Sequence, residues 1–75
     1  MTDPNETNLP VELTLPELAI VRGLANGLQS KAIAVELGCS RATVEFYIRR
    51  MFVKFGAQSR AQLVVKALRA GIISL

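Results

Sequence analysis

The sequence predicts an all-α domain of four helices, and three observations carry that prediction. Apolar residues recur at spacings of three and four from Leu15 to Ala70, and no stretch alternates with period two. Helix-starting Thr and Ser residues (Thr14, Ser30, Ser40, Ser59) and helix-ending glycines (Gly27, Gly38, Gly56, Gly71) punctuate the chain in step with that pattern. The length of 75 residues fits one small domain, whose core can cover only about 60% of the surface the unfolded chain exposes.

Residues 1–12 (MTDPNETNLPVE) hold two prolines and are polar, acidic and aperiodic, so they read as a mobile acidic arm, with 13–75 as the folded domain. Thr14 and Glu17 have the spacing of a reciprocal capping box, Leu13 and Leu18 that of a hydrophobic staple. Pro16 falls in the first turn, where its missing N–H costs nothing. The first helix is expected from Leu15 to about Asn26, with Leu18, Val21, Leu24 and Ala25 inward and Gly27 as its stop. Ser30 is expected to cap a short second helix, Lys31 to Leu37, with Ile33, Ala34 and Leu37 inward and Gly38 as a left-handed end. Ser40 starts a third helix that runs to about Phe55 before Gly56. Ser59 and Gln62 suggest another capping box, opening a fourth helix that reaches Ala70 before Gly71.

Composition excludes much. One cysteine, Cys39, allows no internal disulfide and too few thiols for a zinc site, and the absence of histidine removes imidazole catalysis. Without paired carboxylates or a phosphate-cradling glycine loop, no enzyme activity, cofactor or metal is expected. No apolar run approaches the roughly 18 residues of a membrane span, and the amphipathic faces are needed for a core, so no membrane partner is expected. Asp3, Glu6, Glu12 and Glu17 give the first 17 residues a charge of −4, whereas the nine Lys and Arg of residues 18–75 face only Glu36 and Glu45, a net of +7. So basic a body points to a polyanion such as nucleic acid, or serves solubility. A mean hydropathy of +0.35 with 51% hydrophobic residues hints at an oligomer.

Only Gly38-Cys39-Ser40 separates the second and third helices, which is the join of a helix-turn-helix. Ala34 is small where the helices cross, Gly38 permits a positive φ and Val44 packs back between them. An αα-corner in a plain helical bundle needs the same residues. On the third helix, Val44, Tyr47, Ile48, Met51, Phe52 and Phe55 form a core stripe. The opposite arc holds Ala42, Glu45, Phe46, Arg49, Arg50 and Val53, a mixture of arginines and apolar groups that suits a major groove, with a solvated face as the alternative. Arg49 can fork onto guanine and Phe46 can pack on a thymine methyl, with Arg50 beside them. Glu45 can accept from a cytosine amino group, or hold Arg49 one turn on. Ser30 and Lys31 at the start of the second helix are placed for phosphate contacts, as are Arg41, Thr43 and Lys54.

The run from Leu13 to Ile72 resembles the LuxR/GerE-type (FixJ/NarL-like) DNA-binding domain. The resemblance rests on Leu13, Thr14 and Glu17; Gly27 before Ser30-Lys31; Ile33-Ala34 with Leu37-Gly38; Ser40 and Thr43-Val44; Lys54 and Gly56; and Ser59-Arg60-Ala61, Leu63, Ala67-Leu68 and Gly71-Ile72. It implies a bacterial, cytoplasmic, nucleoid-associated transcription regulator that binds double-stranded DNA, with the third helix in the major groove and the fourth as dimer interface. RNA polymerase or a larger LuxR-type regulator would be further partners. Family members usually carry a basic residue in place of Glu45 and commonly a His in place of Tyr47. With a 12-residue arm ahead of the domain, the chain reads as a stand-alone regulator or an excised domain, and its initiating Met favours the first.

The fourth helix has an apolar arc of about 220°, more than an edge helix buries within its own chain. A second copy is the simplest cover, through Ala61, Val64, Val65 and Leu68, giving a homodimer on a pseudo-palindromic operator. The other cover is the C-terminal Ile72, Ile73 and Leu75. A different reading has the chain pair with a larger family member and modulate its DNA binding. Cys39 reads as a small filler of the turn. A redox role would require a lowered pKa, for which Arg41 and the helix N-terminus are the available causes.

Overall fold

The computed structural model describes residues 12–74. The expected arm therefore lies outside the described residues except for Glu12. Four helices follow in order, α1 (Leu15–Ala25), α2 (Ser30–Leu37), α3 (Arg41–Phe55) and α4 (Arg60–Arg69), with no strand among the described residues. The domain is all-α, as its sequence predicts.

Each helix begins and ends for a local reason. At α1 the reciprocal capping box forms: Thr14 Oγ1 accepts from the Glu17 amide at 3.3 Å and Glu17 Oε1 from the Thr14 amide at 3.0 Å. Ser40 Oγ accepts from the Thr43 amide at 3.1 Å, and Ser59 Oγ from the Gln62 amide at 3.1 Å. At their far ends all four helices close through the same pair of backbone bonds. In α2 these run from the Gly38 N–H to Val35 O (3.3 Å) and from the Cys39 N–H to Ala34 O (3.0 Å). Gly38 sits at φ +70°, where a Cβ would meet the following carbonyl, which is why glycine stands there. The residue after each stop (Leu28, Cys39, Ala57 and Ile72) turns its side chain onto the core. Cys39 is thus half-buried in the hydrophobic position of this closing motif.

Two junctions differ from expectation. Ser30 does not cap α2; the cap position is Gln29, which makes no side-chain bond, and Ser30 is the first helical residue, 2% exposed. Its hydroxyl has charged partners elsewhere, and such bonds are stronger than one to a neutral amide. Gln62 reaches past Ser59: its Oε1 accepts from the Gln58 amide at 2.6 Å, so one more orphan donor is satisfied one residue upstream of the expected box.

The core joins all four helices: Ile20 and Val21 from α1, Ile33 and Ala34 from α2, Val44, Ile48 and Met51 from α3, Leu63 and Ala67 from α4. Each large aliphatic side chain buried here is worth roughly 1.5–3 kcal/mol. Gly23, which the periodic pattern does not single out, lets α1 and α2 close together. A Cβ built on it would stand 2.9 Å from Ile33 Cγ1 and 3.0 Å from Cδ1. Ala34 and Val44 fill the α2–α3 corner, 4% and 0% exposed. The chain after α4 covers part of the wide apolar arc: Ile73 is buried and Ile72 half-buried, while Leu75 lies outside the described residues.

Candidate nucleic-acid interface

Burying Val44, Ile48 and Met51 fixes the rotation of α3, and the opposite arc is thereby turned outward. Ala42, Phe46, Arg49, Arg50 and Val53 are all exposed there, Val53 to 84% and Phe46 to 48%. These two are the large apolar groups on the arc, and both stay substantially open to solvent. The Arg50 guanidinium lies 5.6 Å from the Phe46 ring centroid, and the Tyr47 ring meets Phe46 edge-on at 5.9 Å. Stacking and edge contact hold the Phe46 ring and one arginine in place relative to each other. Arg49 is exposed one position away, so the arc presents two forked cations and a flat ring.

The remaining predicted residues fall into two groups. Lys31 and Arg41 are exposed at the first turns of α2 and α3 and line one cleft with Glu45 of α3. Thr43 is half-buried, and its hydroxyl lies 3.0 Å from that of Ser40. Lys54 and Ser30 bond charged partners within the domain instead, Ser30 buried and Lys54 exposed. Lys54 Nζ donates to Glu17 Oε1 at 2.7 Å and to the Glu12 carbonyl at 3.3 Å. Glu17 is fully buried, and its Oε2 finds no hydrogen-bond partner among the described residues. Burial pushes the Glu17 carboxyl up, but the Lys54 ion pair and the Thr14 hydrogen bonds outweigh it and hold the carboxyl below its usual range. Sequence spacing alone gave no sign of this pair, because its members are 37 residues apart.

Glu45 does not fork onto Arg49. Its Oε2 accepts from the Ser30 hydroxyl and, at 2.7 Å, from Nη2 of Arg60; Nη1 of Arg60 donates to Ser30 Oγ at 3.0 Å. The α2–α3 corner and the start of α4 bring these three side chains together, and a pair across helices wins over the neighbour one turn along. The Ser30 hydroxyl first, and then the Arg60 guanidinium, hold the Glu45 carboxyl below its usual range against a smaller push from burial. Arg60 is the functional candidate that charge and spacing did not single out. Its one sequence signal is its place in the run Ser59-Arg60-Ala61.

A solvent-facing helix carrying arginines and an unburied ring, set against a tight two-helix corner, is the geometry of a DNA-reading helix-turn-helix. The model of the bacterial regulatory proteins of the luxR family matches residues 11–67. The chain belongs to the LuxR family. The transcriptional regulatory protein YdfI of Bacillus subtilis is 39% identical over 71 residues, which are 95% of this chain and 32% of that protein. FixJ of Azorhizobium caulinodans is 42% identical over 60 residues, 80% of this chain and 28% of that one. The solved structure of the transcription factor GerE superposes with a TM-score of 0.80 at 32% identity, covering 83% of this chain and 92% of that one. VqmA of Vibrio cholerae, described as a dimeric LuxR-type receptor with a target DNA, gives a TM-score of 0.78 at 37% identity, over 83% of this chain and 28% of that one. The chain spans about a third or less of the length of the curated relatives it matches. It is a LuxR-type DNA-binding transcription regulator domain, and α3 is its candidate recognition helix.

Proposed function

We propose that this LuxR-type domain acts without enzymatic chemistry, in the cytoplasm, as a homodimer on a pseudo-palindromic operator. In this reading Phe46, Arg49 and Arg50 read bases, while Lys31, Arg41 and Thr43 hold phosphates. The observation that carries it is the outward arc of α3. A phenyl ring left 48% exposed costs a free domain solubility, whereas a thymine methyl would complement the ring and guanine edges the two exposed arginines beside it. Ser30 and Lys54, also expected at phosphates, already bond Glu45, Arg60 and Glu17 within the domain, so the reading leans on them less.

Pairing is supported by a stripe on α4. Ala61 and Val65 are exposed, Val65 to 42%, and Val64 and Leu68 are half-buried beside them, at helical spacings of three and four. This is narrower than the arc expected from sequence, because Leu63 and Ala67 are fully buried. The described dimer of the relative VqmA points the same way. Two domains related by a two-fold axis would place their recognition helices on two half-sites of inverted sequence.

The test is a titration of labelled duplexes with a selected operator and a scrambled control at several salt concentrations. Affinity should fall steeply with salt as phosphate counterions are released. Lys31→Ala should weaken both duplexes alike and flatten the log–log salt slope by about one unit. A salt-insensitive complex would overturn the reading.

A further inference from the structure

Ser30, Glu45 and Arg60 form one wall of a shallow cleft of about 200 Å³ whose other lining residues are Gln29, Lys31 and Arg41. Three cations surround a single carboxylate there, a net of +2 on a surface beside the recognition helix. A guanidinium has five N–H donors. Arg60 spends Nη1 on Ser30 and Nη2 on Glu45, and its side chain remains 43% exposed. The buried hydroxyl and the carboxylate hold the fork in place, and the partly exposed guanidinium lines the cleft. A cation held this way loses little conformational freedom when it takes an anion. Lys31, Arg41 and Arg60 come from three helices, which a merely solubilising scatter of charge would not bring to one cleft.

We propose that this cleft seats one phosphodiester group of the DNA backbone, with Arg60 as a direct phosphate ligand and Glu45 as the residue that positions it. The proposal rests on the DNA-binding reading and adds to it a contact from the first residue of α4. It also gives Glu45 a role on an otherwise basic face: the carboxylate reads no base, and orients the guanidinium toward the phosphate. Each domain then grips the backbone from its pairing helix as well as from its corner, which ties the spacing of the two α4 helices to the spacing of the gripped phosphates.

The test is the salt titration with Arg60→Gln, Arg60→Lys and Glu45→Ala, each first checked for retained helicity. Arg60→Gln should weaken operator and scrambled duplexes equally, by about tenfold, the scale of one charge-assisted hydrogen bond, and flatten the salt slope by about one unit. Arg60→Lys should keep the slope and lose part of the affinity, since it keeps the charge without the fork. In the Glu45→Ala background, Arg60→Gln should cost clearly less than in the wild type, because the guanidinium is no longer aimed. A duplex with a neutral methylphosphonate at the contacted position should make wild type and Arg60→Gln bind alike. If Lys31→Ala flattens the slope but Arg60→Gln does not, the phosphate seat is wrong and the DNA reading stands. If no duplex is bound at all, the DNA reading itself falls. Equal cost of Arg60→Gln with and without Glu45 would remove the positioning role.

Discussion

At the scale of single residues, the Glu17–Lys54 pair is the contact with most at stake. Glu17 is fully buried with one oxygen held by Lys54 and Thr14, so removing the lysine strands a carboxylate in the interior. Breaking one partner of a buried pair costs about 3–5 kcal/mol; with Thr14 still donating, Lys54→Met should fall at the low end, about 3 kcal/mol, as read from urea denaturation. The pair also sets an acid limit. The folded carboxyl titrates below its ordinary value of 4.5, so its contribution is fully present above that pH and disappears as pH falls through the lowered folded value. Wild type should lose stability over that acidic window, and Lys54→Met should show a shallower loss there in the same denaturation series. Such pairs were not legible in the sequence. The box between Thr14 and Glu17 was, because it spans three residues, whereas the partner of Glu17 is set by how α1 lies across the end of α3. Ser30 was misread for the same reason: its type suits a cap, and only the arrival of Glu45 and Arg60 from other helices gives its hydroxyl stronger partners.

At the scale of elements, the helices were legible almost to the residue, since caps and stops are local chemistry. What local chemistry leaves out is how closely two helices approach. Gly23 lies mid-helix in α1, where replacement by alanine should gain about 1 kcal/mol of helix propensity. Its Cβ would meet Ile33 at 2.9 Å, and Ile33 is held in the core at 1% exposure. Overpacking of this kind costs roughly 1–3 kcal/mol. The packing term should win, so Gly23→Ala is expected to lower the melting temperature by a few degrees despite its better propensity. A rise would mean that Ile33 can shift at little cost. The outward arc of α3 was legible too, because fifteen residues show their period plainly. The aim of Glu45 was not, since an i,i+4 rule counts only neighbours on its own helix.

At the scale of the whole molecule, the proposed pairing stripe on α4 makes its own prediction. Val65 is 42% exposed within the domain, so Val65→Asp should leave the fold intact while placing an unpaired carboxylate in a proposed dimer seam. Sedimentation should then show a monomer, with operator affinity reduced far more than affinity for scrambled DNA, since the operator uses both half-sites. A Val65→Asp dimer would place the pairing surface elsewhere. Leu68 is a poorer probe, being half-buried against the core, where a charge would also cost fold stability.

The two charge clusters have a consequence for how the domain moves. Glu17–Lys54 ties α1 to the last turn of α3, and Ser30–Glu45–Arg60 ties α2 and α4 to its first half. Helix α3 is therefore fastened near both ends to every other helix, and it cannot loosen without breaking a charged contact as well as core packing. Its central amides, around Ile48 and Met51, should exchange with deuterium only when the whole domain opens, while those of the first turn of α2, which no side chain caps, exchange through small local openings. In the proposed DNA complex, α3 so held would meet its groove already in shape, and whatever order is gained on binding would come from side chains and from the nucleic acid.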